Sequence, residues 1–146
     1  MLDAFIATIN KTDVESLRLS LPEFTDWLDE IDDPTYIINE TMIQAIKTGR
    51  LDIVELLLSN HYWAYEYEYD DEGEEINKEP RDYLSFAMDY GNEKIQLFFL
   101  EREKDSLLVG YAERYLHGAI ETKHWLVAAR LVTLQDDTRQ RTDYIW

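Results

Sequence analysis

An internal repeat constrains this chain more than any other feature. Residues 42–58 (MIQAIKTGRLDIVELLL) align without gaps on residues 84–100 (LSFAMDYGNEKIQLFFL) at an offset of 42. Met42 matches Leu84, Ala45 matches Ala87, Gly49 matches Gly91 and Ile53 matches Ile95, and Leu56 to Leu58 meet Phe98 to Leu100. Each copy carries the physics of a helical hairpin. A short first helix places a small Ala where a neighbour must approach closely. A Gly ends that helix, where the left-handed conformation carries no Cβ penalty. A second helix follows with Ile and Leu at helical spacing. Such a unit cannot bury its apolar face alone, so neighbouring copies have to stack.

Two drifted copies flank this pair. Residues 5–21 (FIATINKTDVESLRLSL) align on 42–58 at an offset of 37, with Phe5 on Met42, Ile9 on Ile46, Thr12 in the Gly49 place, and Leu17, Leu19 and Leu21 on Val54, Leu56 and Leu58. Residues 107–118 and 122–134 read as a further helix pair. Terminal copies depart from the pattern because one of their faces closes the stack. Residues 1–146 therefore read as a single repeat domain, with units at about 2–22, 39–60, 81–102 and 106–135.

The pattern resembles the ankyrin repeat. Ala45, Gly49, Ile53, Val54 and Leu56 to Leu58 fall where that family places its Ala, Gly, Ile-Val and Leu-Leu-Leu, and Gly91, Asn92, Ile95 and Phe98 to Leu100 follow the same placement less closely. The family's Thr-Pro-Leu-His turn is missing. Glu40-Thr41-Met42-Ile43 and Asp82-Tyr83-Leu84-Ser85 stand in its place. Both offsets also exceed the ~33 residues of a regular ankyrin unit. The resemblance implies an all-α fold, an ankyrin-like solenoid of helical hairpins. An unrelated helical repeat or a plain helical bundle would share the 3.6-residue periodicity.

The extra length lies between units. In 61–80 (HYWAYEYEYDDEGEEINKEP), Tyr65, Tyr67 and Tyr69 alternate with Glu66, Glu68 and Asp70, the period-two pattern of a strand. Asp70 to Gly73 supply a turn, and Glu74 to Ile76 return antiparallel, so an extended β-hairpin or finger is expected between the second and third repeats. Between the first two units, Phe24, Trp27, Leu28 and Ile31 predict a short amphipathic turn of helix before Pro34.

No catalytic constellation is present in the sequence. It has no Gly-rich phosphate loop, no nucleophile elbow and no His pair at metal spacing, and His61, His117 and His124 are scattered. Asp70 to Glu75 lack the alternating Asp pattern and distal Glu of a calcium loop, so they read as a solvated charge run. Cysteine is absent, which excludes disulfides and thiolate zinc. We therefore expect neither enzyme nor cofactor. No apolar run approaches the ~20 residues of a membrane span. The first residues, MLDAFIATINKTD, carry no basic n-region, so a cytoplasmic protein without a signal peptide is expected.

The formal net charge of −17 bears on partners. Nucleic acid binding needs Lys and Arg to displace counterions from phosphates, and anionic membranes make the same demand, so direct binding to either is not expected. A basic protein would be drawn in. Solubility alone is the other reading of the charge. Tyrosine gives contact area at low entropic cost and is concentrated in interfaces. Trp63, Tyr65, Tyr67 and Tyr69 lie among eight acids and one lysine between His61 and Pro80. The candidate partner-binding residues are thus Trp63, Tyr65, Glu66, Tyr67, Glu68, Tyr69, Asp70, Asp71 and Glu72, with Asp29, Asp32 and Asp33 from the other acidic connection. The ankyrin resemblance implies that both connections lie on the recognition side. Tyrosines packed back on the helices would give the same alternation. These features point to an acidic interaction module, an inhibitor or immunity-type protein against a basic toxin or nuclease. The other reading is a generic ankyrin-type scaffold or effector whose partner has any charge.

Overall fold

The computed structural model describes residues 1–143, with side chains to residue 137. Among the described residues helices dominate, interrupted by one two-stranded antiparallel hairpin. Among the described residues no helix is long and apolar enough to cross a membrane. Contacts group the chain into two compact units, Met1–Asp82 and a second that begins at Tyr83.

The first unit contains α1 (Leu2–Asn10), α2 (Val14–Leu28), α3 (Thr35–Lys47), α4 (Leu51–Leu58), the single turn α5 (His61–Ala64), and strands β1 (Tyr65–Tyr69) and β2 (Glu75–Pro80). Helices α1 and α2 pack as one pair and α3 and α4 as another, with α1 against α3 and α2 against α4. The buried positions follow the helical period. Leu17, Leu21, Phe24 and Leu28 line one face of α2, while Ile38, Met42, Ala45 and Ile46 line one face of α3. The segment expected as a separate turn before Pro34 is instead the end of α2. Pro22 sits inside that helix, and Phe24 and Leu28 extend its apolar face past the repeat boundary near residue 22. Burial of those two side chains outweighs the hydrogen bond that proline forgoes.

The second unit contains α6 (Leu84–Tyr90), α7 (Glu93–Glu103), a 3₁₀ turn (Lys104–Ser106), α8 (Val109–Glu121) and α9 (Trp125–Asp143). Helix α6 pairs with α7, α8 pairs with α9, and α7 packs on α9. Ala87 is fully buried, as is Ala45 in the first unit.

Three of the four turns inside the helix pairs place a residue in the left-handed conformation. Gly49 adopts φ +72°, the left-handed conformation expected for it. Thr12, its counterpart in the first pair, keeps φ +57° without a glycine, and Lys123 between α8 and α9 has φ +62°. Arg50 joins the first two turns, donating from Nη1 to the Thr12 carbonyl at 3.2 Å while pairing with Asp52. Gly91 departs from expectation: its φ is −89° and the chain runs extended through it. Its carbonyl accepts from Gln96 Nε2 at 3.2 Å, and Asn92 caps α7 by accepting from the Ile95 N–H. Side chains hold that turn, so no left-handed residue is required. Left-handed backbone costs an L-residue about 1–2 kcal/mol, and glycine carries an entropic cost of about 0.5–1 kcal/mol. Thr12→Gly and Lys123→Gly should therefore each raise stability by up to about 1 kcal/mol in denaturant titrations, and Gly49→Ala should lower it by about as much. A lower melting temperature for either glycine variant would contradict this account of the turns.

Candidate functional site

The root of the finger is built into the first unit's core. Asn60 caps α5, accepting from the Tyr62 N–H at 2.9 Å, and this single turn drives Trp63 inward. Trp63 is fully buried. Its ring stacks on Phe5 at 6.1 Å and Phe24 at 6.0 Å, and those two rings lie parallel at 3.8 Å. Its Nε1 donates to Thr41 Oγ1 at 2.9 Å, and the Thr41 hydroxyl reaches the Ile37 and Ile38 carbonyls. Trp63 is therefore a core residue, and its place among the partner contacts is corrected. At position 63 the chain is still helical, and the outward alternation starts only at Tyr65.

Beyond Trp63 the alternation takes effect. Strand β1 pairs with β2 from Tyr65 opposite Pro80 to Glu68 opposite Asn77, with an irregularity between Glu68 and Tyr69. The turn is tied by Asp70, whose Oδ1 accepts from the Glu72 N–H at 2.9 Å and the Glu74 N–H at 2.8 Å, and Gly73 supplies φ +83°. Tyr65, Tyr67 and Tyr69 form a ladder with successive ring centres 6.3 Å apart. Tyr65 and Tyr67 are half-buried and Tyr69 is exposed. Lys78 places Nζ 4.0 Å from the centre of the Tyr65 ring, a cation–π contact at the inner end of the ladder.

The tyrosine ladder faces the other acidic connection. A groove of about 450 Å³ is lined on one side by the chain from Leu28 to Thr35, with Asp29, Asp32 and Asp33, and on the other by Tyr62, Tyr65, Glu66, Tyr67 and Tyr69, with Arg81 completing the lining. Stretches separated in sequence by α3 and α4 thus share one concave surface. The Tyr62 hydroxyl donates to Asp29 Oδ1. Burial first, and the Asp29 carboxylate second, push the Tyr62 hydroxyl well above the ordinary tyrosine range, so it remains a proton donor. Hydrogen bonds from Thr35, side chain and then backbone, hold the Asp33 carboxyl below its usual value, with the Arg81 charge adding to the effect. Arg81 Nε donates to the carbonyls of Tyr62 and Tyr65, both at 3.0 Å, which pins the base of the hairpin.

Of the expected contacts, Asp29, Asp32, Asp33, Tyr65, Glu66, Tyr67 and Tyr69 meet in this groove. Glu68 lines a shallower recess with Glu66, Asn77 and Glu79, while Asp71 and Glu72 are exposed beside Asp70 in the turn. Sequence reasoning missed Tyr62 and Arg81. Tyr62 stands three residues before Tyr65 in the same aromatic run, and Arg81 is the cation that closes the acidic segment. Among the described residues no three His, Asp or Glu side chains converge on a metal-sized site. The groove offers aromatic faces, carboxylate acceptors and one guanidinium committed to backbone carbonyls. No protein family, curated protein or solved structure matches the chain.

Proposed function

We propose that this chain is a cytoplasmic, non-catalytic protein-interaction module that binds a basic partner, in the manner of an inhibitor or immunity-type protein. In this reading the helix pairs form an ankyrin-like stack and the finger with its groove is the recognition surface. The observation that carries it is the meeting of Asp29, Asp32 and Asp33 with the tyrosine ladder around one groove. The net charge of −17 adds long-range attraction for a basic surface.

The test is capture from lysate on the immobilised chain, followed by affinity and rate measurements on the protein retained. A basic protein should be held, with association slowing steeply as salt rises, because steering acts over a Debye length of about 8 Å at physiological ionic strength. As anchoring contacts, Tyr67→Ala and Tyr69→Ala should each weaken affinity by about 2 kcal/mol or more, with melting nearly unchanged. Glu66→Lys and Glu68→Lys should chiefly slow association. Salt-indifferent association, or tyrosine variants that lose stability and keep affinity, would refute the reading.

A further inference from the structure

We propose that the groove receives arginine side chains of the partner, laid over the Tyr67 and Tyr69 rings and hydrogen-bonded to the aspartates opposite. This inference rests on the preceding reading and adds the chemistry of the occupant. Three observations support it.

The first is the contact already made inside the finger. Lys78 sits 4.0 Å above the Tyr65 ring, so the inner end of the ladder holds a cation of the chain's own. The ladder continues outward through Tyr67 and Tyr69 at the same 6.3 Å spacing, and among the described residues no cationic side chain of this chain is placed over either ring. The outer rings thus extend the ladder with faces that carry no cation of the chain's own, although the ring planes turn by 61° and then 26° and His61 lies edge-on to Tyr67.

The second is charge. The groove lining holds four carboxylates, on Asp29, Asp32, Asp33 and Glu66, and one guanidinium, on Arg81. That guanidinium is bonded through Nε to two backbone carbonyls. An occupant that brings positive charge restores the balance, whereas an anionic or neutral one does not. The third is shape. At about 450 Å³ the groove lies within the ~300–1,000 Å³ typical of ligand clefts, and its lining runs along β1 from Tyr65 to Tyr69. An extended basic segment matches that form.

Arginine fits these walls better than lysine. Its planar guanidinium can lie flat on a phenol ring while its edge N–H groups still reach carboxylates, whereas an ammonium is a compact, strongly hydrated charge. Both side chains carry the charge, so a preference for arginine comes from that planar stacking and forked reach alone.

The probes are acetylated pentapeptides in which two arginines alternate with glycines, together with the lysine and citrulline versions, titrated at low salt into the full chain. The arginine peptide should bind severalfold more tightly than the lysine peptide, and the citrulline peptide should not bind measurably. Ring resonances of Tyr67 and Tyr69 should shift. A Tyr67→Leu, Tyr69→Leu double variant leaves net charge untouched and should bring the two basic peptides to parity. Asp32→Asn should weaken both. Equal binding of arginine and lysine peptides, an arginine preference that survives the leucine variant, or no peptide binding would each overturn the proposal. The function proposed above fails separately, if the captured partner ignores Tyr67→Ala and Tyr69→Ala.

Discussion

Trp63→Ala is expected to lower the stability of the Met1–Asp82 unit by about 3–5 kcal/mol, the range for removing a large buried aromatic. Three losses combine. The indole is fully buried, it stacks on both Phe5 and Phe24, and its Nε1 donates to Thr41. For a unit of this size each kcal/mol moves the melting temperature by roughly 4–8 °C, so a fall of at least about 12 °C should be visible by calorimetry. Trp63→Phe keeps an aromatic filling and should cost markedly less, about 1–2 kcal/mol, for the smaller ring and the lost donor. Under the proposed binding function, affinity is expected to survive Trp63→Phe, because the residue is buried in the core and does not line the groove. Unchanged melting of Trp63→Ala would show that the finger root is not part of the core.

Glu103→Ala should produce the other large loss, about 3 kcal/mol, in the unit that begins at Tyr83. The Glu103 carboxylate is buried at the end of α7. It accepts from the Tyr83 N–H at 2.8 Å and the Leu84 N–H at 3.1 Å, the donors that open α6. Tyr83 is itself fully buried, so water cannot readily replace the missing acceptor. Each buried N–H left without a partner costs about 1–3 kcal/mol. Glu103→Gln retains one acceptor oxygen and turns an amide NH₂ toward the second donor, so it should lie between wild type and alanine. Amide exchange at Tyr83 and Leu84 checks the mechanism directly: both should accelerate in Glu103→Ala before the rest of the unit does. Protection retained at both amides would rule out the capping role.

The contrast between these residues shows where sequence reasoning succeeds. Local periodicity foretold the helix pairs, the strand after Trp63 and the turn at Asp70 to Gly73, because each depends on neighbours within a few residues. Alignment to Gly49 placed Thr12 at a turn that keeps the left-handed backbone even where the glycine is gone. Long-range pairing was not legible. Glu103 is one of 31 acids, and nothing local marks it as the acceptor for amides 19 and 20 residues earlier. Trp63 has the same composition around it as Tyr65, and only the helical phase of α5 turns it inward. The groove is half legible. Both of its acidic and aromatic walls were foreseen as segments, but their meeting depends on how α2 ends and where Arg81 anchors the hairpin. The repeat alignment stops at Leu21, whereas burial of Phe24 and Leu28 carries α2 through Pro22 to Leu28.

The finger also bears on how copies of this protein avoid one another. A two-stranded sheet leaves each strand with an unpaired edge, and such edges are templates for strand addition and aggregation. Here Glu66 stands directly opposite Glu79, an arrangement that weakens the hairpin through like-charge repulsion. The same repulsion multiplies when a second finger approaches edge to edge, since every added strand would bring Glu66, Glu68, Glu75 and Glu79 alongside their equals. Some hairpin stability is thus exchanged for solubility. That protection is electrostatic and solvent-exposed, so salt screens it and brings the fingers of separate copies closer to pairing.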